Sequence, residues 1–341
     1  MSDNSFKGKA RRQQRATGAS YMRARREVDS RRGEAGDVPG SADATQLLSL
    51  LGLGDAGVDD IAALWAARAL PVGTGDRLNL GPLLRVPLGL GVGGVPVWLD
   101  LKEEADGGAG PHLLQVGETG SGKTALLRSM LAGLCLQHSP ELLQLVLVEV
   151  KAWEFDGFAG YPHTAAILRR DNCVASLDDL LDERARALAA AGVDSFGDYR
   201  ELRARPEGAD LPALPIVLVV VDELTELHRS VAGFADLLDA LLHPRRALGI
   251  HVVAVGQHGG VAVGSPGSAR TIDSRIALRL HSAPESYLLV GNSDAHELPV
   301  GVGLYSPKWG VEAERFRAFL VPTDLIGDLG RRFAEAAARP E

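Results

Sequence analysis

The sequence is poor in cysteine: 341 residues carry two, Cys135 and Cys173. Two thiols cannot build a disulfide framework or a cysteine-rich zinc centre, so nothing argues for secretion. Aromatic residues are scarce as well, at 5% of the chain, and are not interleaved with basic ones. That pattern lends no support to a base-stacking surface of the single-strand-binding kind. Long apolar runs are missing. The longest strongly apolar stretch, Ile216 to Val221, falls far short of the ~18–20 residues a membrane helix requires, and the N-terminus has no apolar signal core. The nine histidines show neither HExxH nor a paired metal spacing, and no Gly-x-Ser-x-Gly elbow or Cys/His pair supports covalent catalysis. These absences lead to an expectation of a cytoplasmic protein, peripheral to a membrane at most, with no integral span.

What is present suits a globule. Hydrophobic residues make up 45% and charged residues 23%, enough apolar material for a sizeable core. Charge is unevenly spread. Residues 1–32 hold ten Lys and Arg against three acids, a net of +7, which leaves −15 for the rest of a chain whose total is −8. A basic arm on an acidic body either meets an anionic partner or is a solvated tail, and the body is not a general polyanion binder.

No internal repeat recurs at solenoid or propeller periods. Composition sets off a basic arm (1–32) and a Gly/Asp/Ala/Ser/Pro-rich linker (33–44); a small helical lead-in (45–83) follows, and from about Arg85 strand and helix patterns alternate to the C-terminus. Within the arm, residues 7–31 read as two short helices broken at Thr17-Gly18. In the lead-in, helices are expected near 46–51 and 58–70, the second with Ile61, Leu64 and Trp65 on one face, a docking or core stripe. Two β-type runs across a Gly-rich turn between Arg85 and Leu101 predict a hairpin. Beyond it strands are expected at 112–116, 144–149, 216–221, 251–255 and 276–281. Helices are expected at 123–137, 177–191, 195–204, 234–248 and 283–290, with capping boxes at Ser176/Asp179 and Ser195/Asp198. Alternating buried strands and amphipathic helices indicate an α/β domain with a mainly parallel central sheet. Cys135, in an apolar helix, reads as core.

The strongest chemical signal is Gly117-Glu118-Thr119-Gly120-Ser121-Gly122-Lys123-Thr124, placed between an apolar strand and a long helix. That context suits a phosphate-binding loop: glycines let backbone N–H groups curl around a phosphate, and the helix N-terminus adds positive potential. Lys123 would reach the β- and γ-phosphates and the Thr124 hydroxyl would ligate Mg²⁺. The run Ile216–Val221 delivers Asp222 and Glu223 to a strand end, where open α/β sheets place their ligands. Asp222 would hold Mg²⁺ through water and Glu223 would polarise the attacking water as general base. Gln257, two residues past another strand, would sense the γ-phosphate or orient that water. Arg275 and Arg279 are the candidates for a finger reaching a neighbouring subunit's site. Lys151 lies near the same sheet end and has no assigned role.

In sequence order, these stretches resemble the FtsK/SpoIIIE superfamily of ring-forming motor ATPases, and in detail an ATPase module of EccC, the motor of type VII secretion. The similarity runs from about Leu84 to Val321, which implies an ATPase domain at 84–322 and leaves a C-terminal helical tail at 323–341. It is carried by Leu84-Arg-Val-Pro-Leu-Gly, Leu99-Asp-Leu-Lys-Glu and Gly110-Pro-His before the loop, then the loop itself. His138-Ser-Pro-Glu141, Leu145-Val-Leu-Val-Glu-Val-Lys151 and Tyr161-Pro-His163 come next, followed by Asp222-Glu-Leu-Thr-Glu-Leu227 and Arg246-Ala-Leu-Gly-Ile-His251 leading to Gln257. Arg275-Ile-Ala-Leu-Arg279, Ser282-Ala-Pro-Glu-Ser286 and Asp294-Ala-His-Glu-Leu-Pro299 complete the series. The resemblance implies a RecA-like sheet, ATP and Mg²⁺ at the loop, and a hexamer-like ring with sites between subunits, Arg275 being the first choice for the finger and Arg279 the second. There are departures: Glu149 stands where the family has Asp, Ala152-Trp153 replaces a glycine pair, and His258 replaces an arginine. One ATPase module is seen where EccC has several, and neither membrane helices nor a winged-helix module is found.

The function expected on this basis is an ATP-driven motor threading a polymer, with exported protein favoured and DNA the alternative. The competing class is a nucleotide-gated adaptor without its own turnover. A homo-oligomeric ring is the expected assembly, docking through the N-terminal region onto a membrane-bound machine.

Overall fold

A continuous apolar run is buried on both faces when it becomes a central strand. In Ile216–Val221, residues 216, 218 and 220 pack into one hydrophobic cluster and 217, 219 and 221 into another, because alternate side chains of a strand point to opposite faces. The computed structural model describes residues 39–54, 57–151, 154–243, 248–258 and 272–339. The basic arm, the two helices expected in it, most of the linker and Ala152-Trp153 lie outside the described residues.

The strands are β1 (Arg85–Leu90), β2 (Pro96–Asp100), β3 (His112–Val116), β4 (Leu143–Val148), β5 (Thr164–Leu168), β6 (Ile216–Val221), β7 (Ile250–Gly256), β8 (Ser274–Ala277), β9 (Val302–Ser306) and β10 (Glu314–Ala318). They form one sheet in the order β2-β1-β10-β9-β8-β3-β7-β6-β4-β5. Strands β3 to β8 pair in parallel, and β9, β10 and the β1–β2 hairpin extend the sheet antiparallel. The expected α/β class and mainly parallel centre are what the fold has.

Helices α1 (Pro39–Leu50), α2 (Val58–Arg68), α3 (Lys123–Gln137) and α9 (Thr323–Ala337) bury apolar residues against one face. The other face is covered by α4 (Cys173–Ala190), α6 (Leu224–Ser230), α7 (Phe234–Leu242) and α8 (Ala283–Val290). A short helix α5 (Phe196–Ala204) starts at the N-cap Ser195, whose hydroxyl accepts from the Asp198 N–H as anticipated. Two covered faces make a three-layer α/β/α domain.

Several boundaries differ from the sequence expectation. Helix α1 begins at Pro39, inside the stretch read as a linker; proline is at home in the first helical turn, where its missing N–H is unneeded. Helix α4 starts at Cys173 after the N-cap Asn172, so Ser176 is inside the helix and caps nothing. Helix α7 stops at Leu242, not at 248, because Pro244 removes an N–H and restricts the residue before it. The strand expected at 276–281 is Ser274–Ala277; beyond it Leu278 N–H still reaches Val116 O at the end of β3, Arg279 O accepts from the phosphate loop, and Leu280 N–H turns to Ala295 O. Strands β5, β9 and β10 and helix α6 carry no sequence signal that was read, being short and, in β10, charged at three of five positions.

Neither the lead-in nor the tail stands apart from the large domain. Trp65 donates its indole N–H to the Cys135 carbonyl at 3.1 Å and stacks near His163 and Phe333, with ring centroids 5.3 and 5.8 Å away. Tyr161 donates its hydroxyl to the Ile326 carbonyl at 2.9 Å. Helices α2, α3 and α9 thus share one core with the sheet, and both the Ile61/Trp65 stripe and Cys135 are core.

Candidate nucleotide site

The loop 117–124 leaves β3 and enters α3 as expected, and local chemistry explains its path. Gly120 and Gly122 have φ of 86° and 106°, a region that residues with a Cβ avoid. A Cβ at Gly117 would come within 2.6 Å of the Ser121 Oγ, so this turn closes only around a glycine. The loop is tied to its neighbours: Gly117 N–H donates to Gly256 O at 3.2 Å, Glu118 N–H to Arg279 O at 2.8 Å, and Gly301 N–H to Ser121 O at 3.3 Å. Lys123 folds back so that its ammonium donates to the carbonyls of Gly117 and Glu118 at 2.5 and 2.9 Å. Burial lowers its pKa, with the nearby carboxylates of Glu223 and Asp222 acting in the opposite direction. The buried Ser121 hydroxyl has no hydrogen-bond partner. A cation bonded only to carbonyls, an unsatisfied hydroxyl and the N-terminus of a long helix make a cradle fit for a phosphate.

Strand β6 sets Asp222 and Glu223 beside the loop. Asp222 is buried, accepts from the Glu223 N–H at 2.9 Å, and burial pushes its carboxyl up to about 6, with the charges of Glu154 and Glu223 adding to the shift. Its oxygens and the half-buried Thr124 hydroxyl are hard donors. One carboxylate and one hydroxyl suit a magnesium ion that keeps waters and phosphate oxygens in its other positions. Glu223 has a left-handed backbone, φ 55°, a conformation that costs a non-glycine residue about 1–3 kcal/mol. Gln257 arrives from β7 and donates Nε2 to both Glu223 oxygens at 2.8 and 3.1 Å, while its carbonyl oxygen is 3.4 Å from the Thr119 hydroxyl. The ammonium of Lys151 meets Glu223 Oε1 directly. Burial works to raise the Glu223 pKa, but the Lys151 hydrogen bond and charge and the Gln257 amide outweigh it and hold the carboxyl below its usual range.

Comparison with known proteins gives this geometry its context. Residues 79–261 match the sequence profile of the FtsK/SpoIIIE family. The chain belongs to the FtsK/SpoIIIE family. It is 36% identical over 307 residues to the ESX-4 secretion system protein EccC4 of Mycobacterium tuberculosis, an alignment that covers 85% of this chain and 23% of that protein. The cytoplasmic domain of the Thermomonospora curvata type VII secretion ATPase EccC superposes with a TM-score of 0.70 and 34% identity, covering 86% of this chain and 34% of that one. A structure of ATPases 2 and 3 of the same EccC in complex with a signal sequence peptide matches with a TM-score of 0.65 and 25% identity, covering 80% of this chain and 51% of that one. The chain therefore spans about a quarter of its EccC4 relative's length.

In this family member the two arginines part company. Arg279 lies at its own phosphate loop, where Nε contacts Glu118 Oε1 and Glu118 Oε2 is 3.4 Å from His281. As second choice for a finger reaching another subunit it is badly placed. Arg275 is paired across the sheet with Leu114, short of the loop. It is buried, donates Nε to Ile272 O at 3.1 Å, and lays its guanidinium 4.5 Å from the centre of the Trp309 ring. Glu149, the departure in the second strand, is buried and satisfied by the N–H groups of Glu154 and Phe155 and by Arg169. His258 lies 3.7 Å from Glu285 and stacks near His281.

A cavity of about 690 Å³ lies at the other end of the sheet, with Leu83, Leu242 and Phe196 among its apolar lining and Lys102, Arg200 and Asp273 among its charged lining. Among the described residues no helix is long and apolar enough to cross a membrane. The contacts that sequence reasoning missed, Lys151 with Glu223 and Glu118 with Arg279, join residues 72 and 161 positions apart; the one signal for the first was the position of Lys151 just past a strand.

Proposed function

We propose that the chain is an ATP-hydrolysing module that works in a homo-oligomeric, hexamer-like ring and couples hydrolysis to threading of a polypeptide, in the manner of an EccC secretion motor. The observation that carries this reading is the convergence of the phosphate loop, Asp222, Glu223 and Gln257 at the C-terminal ends of β3, β6 and β7. In this reading Lys123 and the loop N–H groups bind the β- and γ-phosphates, and Glu223, positioned by Gln257, accepts a proton from the attacking water. Thr124 and Asp222 would hold Mg²⁺, which neutralises phosphate charge when bound. Arg275 would serve a neighbouring subunit's site, and for that it must leave the face of Trp309. Protein is favoured as the polymer because the EccC relatives are named as parts of secretion systems and one structure holds a signal sequence peptide. The acidic body disfavours duplex DNA. The basic N-terminal arm is assigned to docking on a membrane-bound machine.

The test is steady-state ATP hydrolysis over a protein concentration series, with and without duplex DNA. Specific activity should rise with concentration. Lys123→Ala should weaken ATP binding by about 10²-fold or more, and Arg275→Ala should abolish turnover while ATP still binds. Salt-dependent stimulation by DNA would move the substrate to nucleic acid. Binding through Lys123 without hydrolysis at any concentration would favour the nucleotide-gated adaptor.

A further inference from the structure

Strands β4 and β6 run parallel with Val148 opposite Val221, so the residues that leave their C-terminal ends lie side by side. This register brings Lys151 to Glu223, and their side chains form an ion pair. From the opposite side Gln257 donates to both oxygens of the same carboxylate at 2.8 and 3.1 Å. A carboxylate offers about four acceptor positions; three donor contacts already fall on this one, and one of the donors cancels its charge. A group in that condition has little capacity left to orient and deprotonate water.

The pair is also built to open. Lys151 is 52% exposed whereas Glu223 is 17% exposed, so the ammonium can return to water at small cost. Asp222, Glu154 and Lys123 are the other charges close to it. Because Lys151 and Lys123 are near enough to repel each other, an anion that Lys123 binds also attracts Lys151 away from Glu223.

We propose that Lys151 is a positioning residue that restrains Glu223: in the nucleotide-free protein its ammonium neutralises the carboxylate, and hydrolysis proceeds when this ion pair opens. The inference rests on the hydrolase reading above.

Lys151→Met removes the charge and keeps the length. At saturating ATP, where the phosphate competes with Glu223 for the ammonium without abolishing the pair, it should raise kcat roughly three- to tenfold with KM for ATP little changed, and Lys151→Arg should stay near wild type. In a Glu223→Gln background Lys151→Met should bring no gain. The nucleotide-free protein supplies a separate readout: the Lys151 ammonium protons, followed by ¹⁵N-resolved spectra, should exchange with water more slowly than in Glu223→Gln, where that protection is lost. A fall in kcat for Lys151→Met, a gain that survives Glu223→Gln, or unprotected ammonium protons in the wild type would each overturn the restraint. If no variant hydrolyses ATP while protection is seen and is lost in Glu223→Gln, the hydrolase reading fails and the ion pair stands without its catalytic meaning.

Discussion

At the C-terminal ends of the parallel strands charged groups meet one another, whereas at the N-terminal ends the buried histidines are held neutral. The first set comprises Lys123, Asp222, Glu223 and Lys151, brought together by the loop and by β6. The second comprises His138, His163 and His251, each with burial pushing its pKa down to about 4. His138 shows how neutrality is fixed: Nε2 accepts from the Leu84 N–H at 3.1 Å, and Nδ1 faces the Leu134 carbonyl at 2.8 Å. A ring that must accept at one nitrogen cannot carry a second proton without losing that bond. The contrast teaches that one sheet spends its buried polar groups in two ways, for packing at one end and for an exchangeable charge network at the other.

The largest effect that would sharpen this contrast comes from Glu223→Gln. The change keeps shape and removes the base, so kcat should fall by about 10²–10⁴-fold with ATP affinity retained in an equilibrium binding assay. An equal loss of binding and turnover would make Glu223 a structural acid like Glu149.

The two ends should also titrate with opposite sign. The histidines have folded pKa values below the unfolded 6.5. Their contribution to stability is therefore full above pH 6.5 and lost as pH falls toward 4, by about 3 kcal/mol each. Asp222, raised from 3.8 to about 6, does the reverse: its contribution is full below pH 3.8 and lost as pH rises through 6. Urea unfolding at a series of pH values should show a shallower slope between pH 6.5 and 4 for His138→Gln. Asp222→Asn should be more stable than the nucleotide- and metal-free wild type at pH 8 by about 2–3 kcal/mol. An unchanged slope in the first variant, or a loss of stability in the second, would break the comparison.

The smallest expected effect is at the packed arginine. Trp309 is half exposed, so its contact with Arg275 is worth about 0.5–1 kcal/mol. Trp309→Ala should lower stability by no more than that and leave ATP affinity of the isolated subunit unchanged, as read by chemical denaturation and nucleotide titration. A large loss of affinity would tie Arg275 to its own subunit's site.

Legibility in the sequence followed the range of the interaction. The strand 112–116, the loop and the helix 123–137 were read with the bounds they have, because an apolar run, glycines and a helical stripe act on their own neighbours. The run 216–221 was equally plain. Strand β10 was not, since Arg315 and Arg317 flank the single buried Phe316 and its pairing with β1 and β9 comes from distant segments. The boundaries at 84 and 322 came from the extent of the family resemblance, which cannot report that Trp65 and Phe333 meet in one core.

By itself, then, the sequence determined the α/β alternation, the phosphate loop and the delivery of Asp222 and Glu223 to a strand end, all set by local backbone preference and hydrophobic period. Only the tertiary structure decided which charges meet. The parallel register placed Lys151 on Glu223, Arg279 fell to its own loop and Arg275 under Trp309. The reason is physical: an ion pair or a stacked cation depends on distances of a few ångströms between segments remote along the chain. Those distances follow from strand order and register, which local preference does not encode.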